Sequence, residues 1–364
     1  MKRIILSDIQ IELENIKKER EQKRFYYRHL AENEIQFNSN DFNQIHNLDK
    51  VDYAICAAAG AFGGIVDILF IGIPHPDKGG VSGGVLDGIV RAWFDKKFPK
   101  EKMEKIGRCK AAKVPYDAQD NRNLYDKPNE PVDGLSAYYH RLLSLGHDPF
   151  LGFFVGVYDI IRGTMTTISK SGDFTSQQMP MYVERMTTSI LEAIKKQWLH
   201  MKSDVNTSMG LPVPLMALFN TLQFGEFGKD KQTIAEVVQG MYYQGYDFQH
   251  FCAMSIPQIL VEIIVRAAWW IRTKKAIPVL TSRNRTPKLD TMLCLAHSIA
   301  CGINAVKVGV TENPCAINYP EWCRFMELLV REARWQFVDK STARLNYVTD
   351  RLIAHPRKYK DLVL

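Results

Sequence analysis

Between Ala54 and Ile73 the only charged residue is Asp67. A run this apolar has to be buried, in a protein core or in a bilayer, and its length matches the roughly 20 residues that cross a hydrocarbon layer. Inside it lie Gly60, Gly64 and Asp67: two glycines four apart, then an aspartate three further on. The spacing recurs at Gly80, Gly84 and Asp87, and again at Gly152, Gly156 and Asp159. On a helix, positions i, i+4 and i+7 share one face. Each copy therefore predicts a smooth glycine groove ending in a carboxylate. Glycine forms helices poorly, so a helix that keeps two is expected to use them for close backbone contact.

Helical periodicity extends along most of the chain. Ile5, Ile9, Leu13 and Ile16 open an amphipathic helix over residues 1–36, with basic and aromatic residues mixed from Lys17 to Arg28. Polar residues from Gln36 to Asn47 are expected to break it. Residues 50–113 read as a glycine-rich helical hairpin, and the Asp-, Asn- and Pro-rich stretch 114–134 as a linker or long loop. Residues 135–364 read as a helical domain. Ser255-Ile256-Pro257 looks like a helix start, with proline in the first turn. Strand signals are few. The expected fold is all-α or nearly so, a multi-helix bundle-like globule with at most a short β-hairpin near 164–176.

Composition narrows the function classes. The 364 residues are 46% hydrophobic and 24% charged, which excludes global disorder. A net charge of +7 is a mild basic bias, weaker than a dedicated nucleic-acid binder shows, so nucleic acid is the less favoured partner. Seven cysteines, an odd number, and a start without an apolar leader point to free thiols in a reducing setting. The expected location is intracellular, either cytoplasmic or peripheral to the inner face of a membrane.

Three functional readings follow. In the first, the 54–94 hairpin contacts or inserts into a bilayer, basic flanks attract anionic headgroups, and Asp67 makes insertion sensitive to protonation. The helix-packing or membrane motif would be Gly60, Gly64, Asp67, Gly80, Gly84, Asp87, Gly152, Gly156 and Asp159. In the second, the chain is a soluble scaffold or assembly subunit that binds a protein partner or its own copies. In the third, carboxylates gather a divalent metal. His147-Asp148, with His140 upstream, resembles the metal-binding dipeptide of HD phosphohydrolases. That two-residue resemblance implies a divalent-metal-dependent phosphoester hydrolase, with Asp67, His147, Asp148 and Asp159 as metal ligands and His75 and Asp77 nearby. No serine nucleophile elbow or recognisable cysteine–histidine signature is present, so a non-enzymatic role is favoured and no catalytic residue is assigned. Cys294, His297 and Cys301 share a helix face but lack the tight cysteine spacing of structural zinc sites, which favours core packing.

Overall fold

Helix-forming runs dominate the computed structural model, which describes residues 2–77, 80–117, 140–207, 210–273 and 286–354. The fold is mostly α, as the periodicity predicts, with twelve α-helices among the described residues. Two short antiparallel strand pairs complete it among the described residues. β1 (His75–Asp77) pairs with β2 (Gly80–Ser82), and β3 (Thr164–Ile168) pairs with β4 (Phe174–Gln178). The second is the hairpin expected near 164–176. Most of the predicted 114–134 linker lies outside the described residues.

The chain divides into two compact units. The first unit is Met1–Ala57, Val265–Leu295 and Met326–Leu364; the second is Ala58–Ile264 and Ala296–Phe325. In the first unit, α1 runs Lys2–His46, through the polar stretch expected to end it. Packing overrides the weak local preference. Phe42 is buried against Tyr347 of α12 (Lys340–Ala354), with ring centroids 5.6 Å apart. Asp41 beside it accepts from Tyr347 Oη at 2.5 Å and pairs with Arg351 at 3.1 Å. Asp49 then caps α2 (Lys50–Val66), accepting the Val51 and Asp52 amides at 2.9 Å each.

In the second unit the glycines of α2 set the packing. A Cβ on Gly60 would strike the Ala296 carbonyl oxygen, one on Gly63 would strike Val261, and one on Gly64 would lie 2.7 Å from Ile303. Ala296 and Ile303 belong to α10 (Pro287–Thr311), and Val261 to α9 (Phe248–Thr273). The glycine surface of α2 therefore lets two long apolar helices approach to backbone distance. α2 passes into a π-helical turn, Asp67–Ile71, and stops at Gly72, whose φ of 70° is left-handed. α3 (Val85–Lys97) and α4 (Lys100–Arg108) follow.

The third motif lies on α6 (Gly152–Arg162), which packs on α7 (Ile190–Asp204) with Gly156 against the Gln197 amide. Gly163 ends α6 at a φ of 67° and turns the chain into β3. The second motif is not helical throughout: Gly80 sits in β2, and Gly84 precedes α3, donating to Ile71 O at 2.7 Å. α9 also departs from expectation. It begins at Phe248 and carries Pro257 inside it, because Asp247 supplies the cap by accepting the His250 amide at 2.9 Å.

Substitutions at two glycines separate packing from propensity. Gly60→Ala should cost about 1–3 kcal/mol or more, because a carbonyl oxygen of a packed helix cannot yield as a side chain does. Gly302→Ala on α10, where an added methyl meets nothing within 4 Å, should stabilise by up to about 1 kcal/mol. Chemical denaturation of both variants checks the pair.

Candidate functional site

The three motif aspartates are buried, and each is satisfied by its own surroundings. Asp67 accepts from Asn304 Nδ2 and Asn318 Nδ2 at 2.8 Å each and pairs with Lys307 Nζ at 3.2 Å. Asp87 accepts from His250 Nδ1 and Arg91 Nε at 2.8 Å, and Arg91 reaches on to Asp247 with both terminal nitrogens at 3.0 Å. Burial works against the Asp87 charge, but His250 and Arg91 outweigh it and hold the carboxyl below the usual range. Asp159 accepts from Thr164 Oγ1 at 2.6 Å, Thr166 Oγ1 at 2.7 Å and Thr166 N at 2.9 Å, which ties β3 to α6. The three carboxylates share no partner, and a different set of side chains surrounds each. Asp67 is thus held between α10 and Asn318 by one ion pair and two amide hydrogen bonds.

His147 and Asp148 have unlike surroundings. Asp148 accepts from the Phe150 and Leu151 amides at 2.8 Å each and from Leu215 N at 2.5 Å. It caps the turn into α6 and pins a distant loop, with both oxygens engaged by backbone. Burial pushes its pKa up against those three amides. The HD resemblance, which needs both residues on a metal, does not carry over.

His147 instead lies within a histidine cluster. His140 opens α5 (His140–Leu143), His147 ends a 3-10 turn, and His200 and Asp204 lie one turn apart on α7. The His147 ring centroid is 5.0 Å from those of both His140 and His200, and Tyr116 stands edge-on to His147 and His200. His147 Nε2 and His200 Nε2 are 3.1 Å apart. Asp204 Oδ2 lies 3.7 Å from the first and 3.6 Å from the second, while its Oδ1 accepts from Arg141 at 3.1 Å. His140 Nε2 lies 3.9 Å from Asp117 Oδ1. Desolvation, then the neighbouring His140, His200 and Arg141, hold the His147 pKa well below that of a free imidazole. Spacing contained part of this cluster: His200 and Asp204 are four apart. His297 is hydrogen-bonded to Glu321 at 2.7 Å, and Cys294 and Cys301 are buried free thiols.

Two apolar features complete the inventory. An apolar cavity of about 310 Å³ is lined by Val213, Met216, Phe219, Met241, Val308 and Tyr319, among others. Among the described residues, three stretches, Glu32–Ile71, Phe248–Thr273 and Pro287–Thr311, are long and apolar enough to cross a membrane by length and composition; their 18-residue windows have mean hydropathies of 2.1, 1.6 and 1.5. No family model, curated protein or solved structure matches the chain.

Asp67→Ala should cost about 3–5 kcal/mol, since it strands the buried Lys307 charge. A denaturation midpoint near that of the unmodified chain would contradict the pairing. The cluster also gives a pH dependence. Below 6.5 the unfolded chain takes up a proton at His147 that the folded protein refuses, so stability falls as the pH drops. The slope approaches about 1.4 kcal/mol per pH unit for this one group. Asp148 and Asp159, pushed up by burial, bind protons first in the folded state and act in the opposite sense. Denaturation at pH 7.5 and 5.5 should therefore show a smaller loss in His147→Gln than in the unmodified chain.

Proposed function

We propose that the protein is a membrane-associated helical protein that lays the outward face of α2 and its π turn on an anionic bilayer. One observation carries the reading. With its glycine side packed inward, this segment leaves Phe62, Ile65, Ile68, Leu69 and Phe70 between 42 and 63% exposed. The flanking helices add exposed Ile259 and Ile263 on α9 and Val306 and Val310 on α10. Soluble monomers rarely leave so much large apolar surface in contact with water. α3 supports the same reading: exposed Val85, Ile89 and Trp93 are followed by exposed Lys96, Lys97 and Lys100, a pattern suited to the headgroup boundary.

The magnitude favours adsorption over insertion. A half-exposed large apolar side chain gains about 1 kcal/mol on entering lipid, so five give on the order of 5 kcal/mol. Each nearby lysine adds about 1 kcal/mol on an anionic surface. That is reversible binding, far from the irreversible hold of a spanning helix.

Flotation with phosphatidylserine-containing vesicles tests this. Gly64→Leu and Asp67→Lys would disturb the core, so the informative variants are outward ones. Ile65→Ser combined with Leu69→Ser should reduce vesicle binding at least tenfold while leaving the circular dichroism spectrum unchanged. Equal flotation of the double variant and the unmodified chain would overturn the reading.

A further inference from the structure

We propose that His147, His200 and Asp204, all in the second unit, bind one divalent transition-metal ion of the zinc class. The inference stands on geometry and does not depend on membrane association. The three facing atoms, His147 Nε2, His200 Nε2 and Asp204 Oδ2, form a triangle with sides of 3.1, 3.6 and 3.7 Å. A point equidistant from them lies about 2.0 Å from each, the length of zinc–imidazole and zinc–carboxylate bonds.

The contacts make a poor hydrogen-bonded network. The two carboxylate–imidazole separations are too long for hydrogen bonds, and Asp204 Oδ2 is a buried oxygen with no such partner among the described residues. A buried carboxylate oxygen left unsatisfied is costly. An ion at the centre uses its lone pair and those of both imidazoles at once. Imidazole and carboxylate donors suit a borderline ion such as zinc.

A neighbouring side chain orients one of the ligands. Arg141 occupies Asp204 Oδ1 at 3.1 Å, which leaves Oδ2 to face the histidines. His200 and Asp204 sit at i and i+4 on α7, so one helical face presents both. All three ligands are buried, with His147 at 0% exposure. Three protein ligands leave a fourth position, which water or hydroxide fills in such sites. The ion would join α7 to the turn that leads into α6, and so hold together the two helices that meet at Gly156.

Elemental analysis of the full chain, purified without chelator, reads the proposal directly. Close to one equivalent of transition metal per chain is expected, and the same measurement names the ion. His200→Gln and Asp204→Asn should each lower retained metal at least tenfold, while His75→Gln, an exposed histidine outside the cluster, should retain it. An unmodified chain that is metal-free and also takes up neither zinc(II) nor cobalt(II) at equimolar addition would overturn it. So would equal metal in both ligand variants, which marks an adventitious ion only. If the variants do not fold, cobalt(II) titration of the unmodified chain still decides. The intense visible bands of four-coordinate cobalt support the site, and the weak spectrum of aqueous cobalt contradicts it.

Discussion

The close approach of α2 to α9 and α10 is the constraint on which the second unit depends. Gly60, Gly63 and Gly64 remove the side chains that would hold these helices apart, so an α10 carbonyl and α9 and α10 side chains fill the space. Once the small side of α2 is turned inward, its large residues have nowhere to go but outward. The apolar exposure of Phe62, Ile65 and Leu69 is thus the geometric consequence of the glycine seat. In water such a surface is unfavourable; at a bilayer it is an asset. On the proposed function, the same helix supplies both the core contact and the lipid-facing surface.

The aspartates at the ends of the glycine motifs serve that architecture. Asp67 lies at the start of the π turn and gathers Asn304, Lys307 and Asn318, fixing where α2 ends against α10 and the start of α11 (Tyr319–Arg334). Asp87 and Asp247 share Arg91 and so tie α3 to the first turn of α9. Asp159 fastens β3 to the helix that precedes it. Buried ion pairs of this kind contribute little net stability compared with apolar packing, yet breaking one leaves an unpaired charge. Their value here is to fix register: each joins segments that glycine contacts alone would let slide.

Much of this was legible in the residues. The all-α class followed from apolar periodicity. Gly60 and Gly64 announced a close contact, but not that its partner would be the Ala296 carbonyl. That partner lies more than two hundred residues away, and one sequence holds no register for such a pairing. Two helix limits were misread for a physical reason. Tertiary contacts at Phe42 carried α1 through polar residues, and the Asp247 cap started α9 ahead of Pro257. The spacing of His147 and Asp148 said nothing of which residues surround each. Adjacent residues on a tight turn point to different sides, so Asp148 went to backbone amides while His147 met His200 and Asp204 from another helix.

The central claim is that α2 faces lipid with the surface opposite its glycines. The most direct measurement places a single environment-sensitive fluorophore on a cysteine at position 69, with the accessible native Cys109 and Cys323 replaced by serine. The chain is then titrated with phosphatidylserine vesicles. The account predicts a saturable blue shift, with quenching by lipids brominated near the headgroup end of their chains. A label that stays in a water-like environment at saturating lipid would contradict it and would assign the exposed face of α2 to a protein partner.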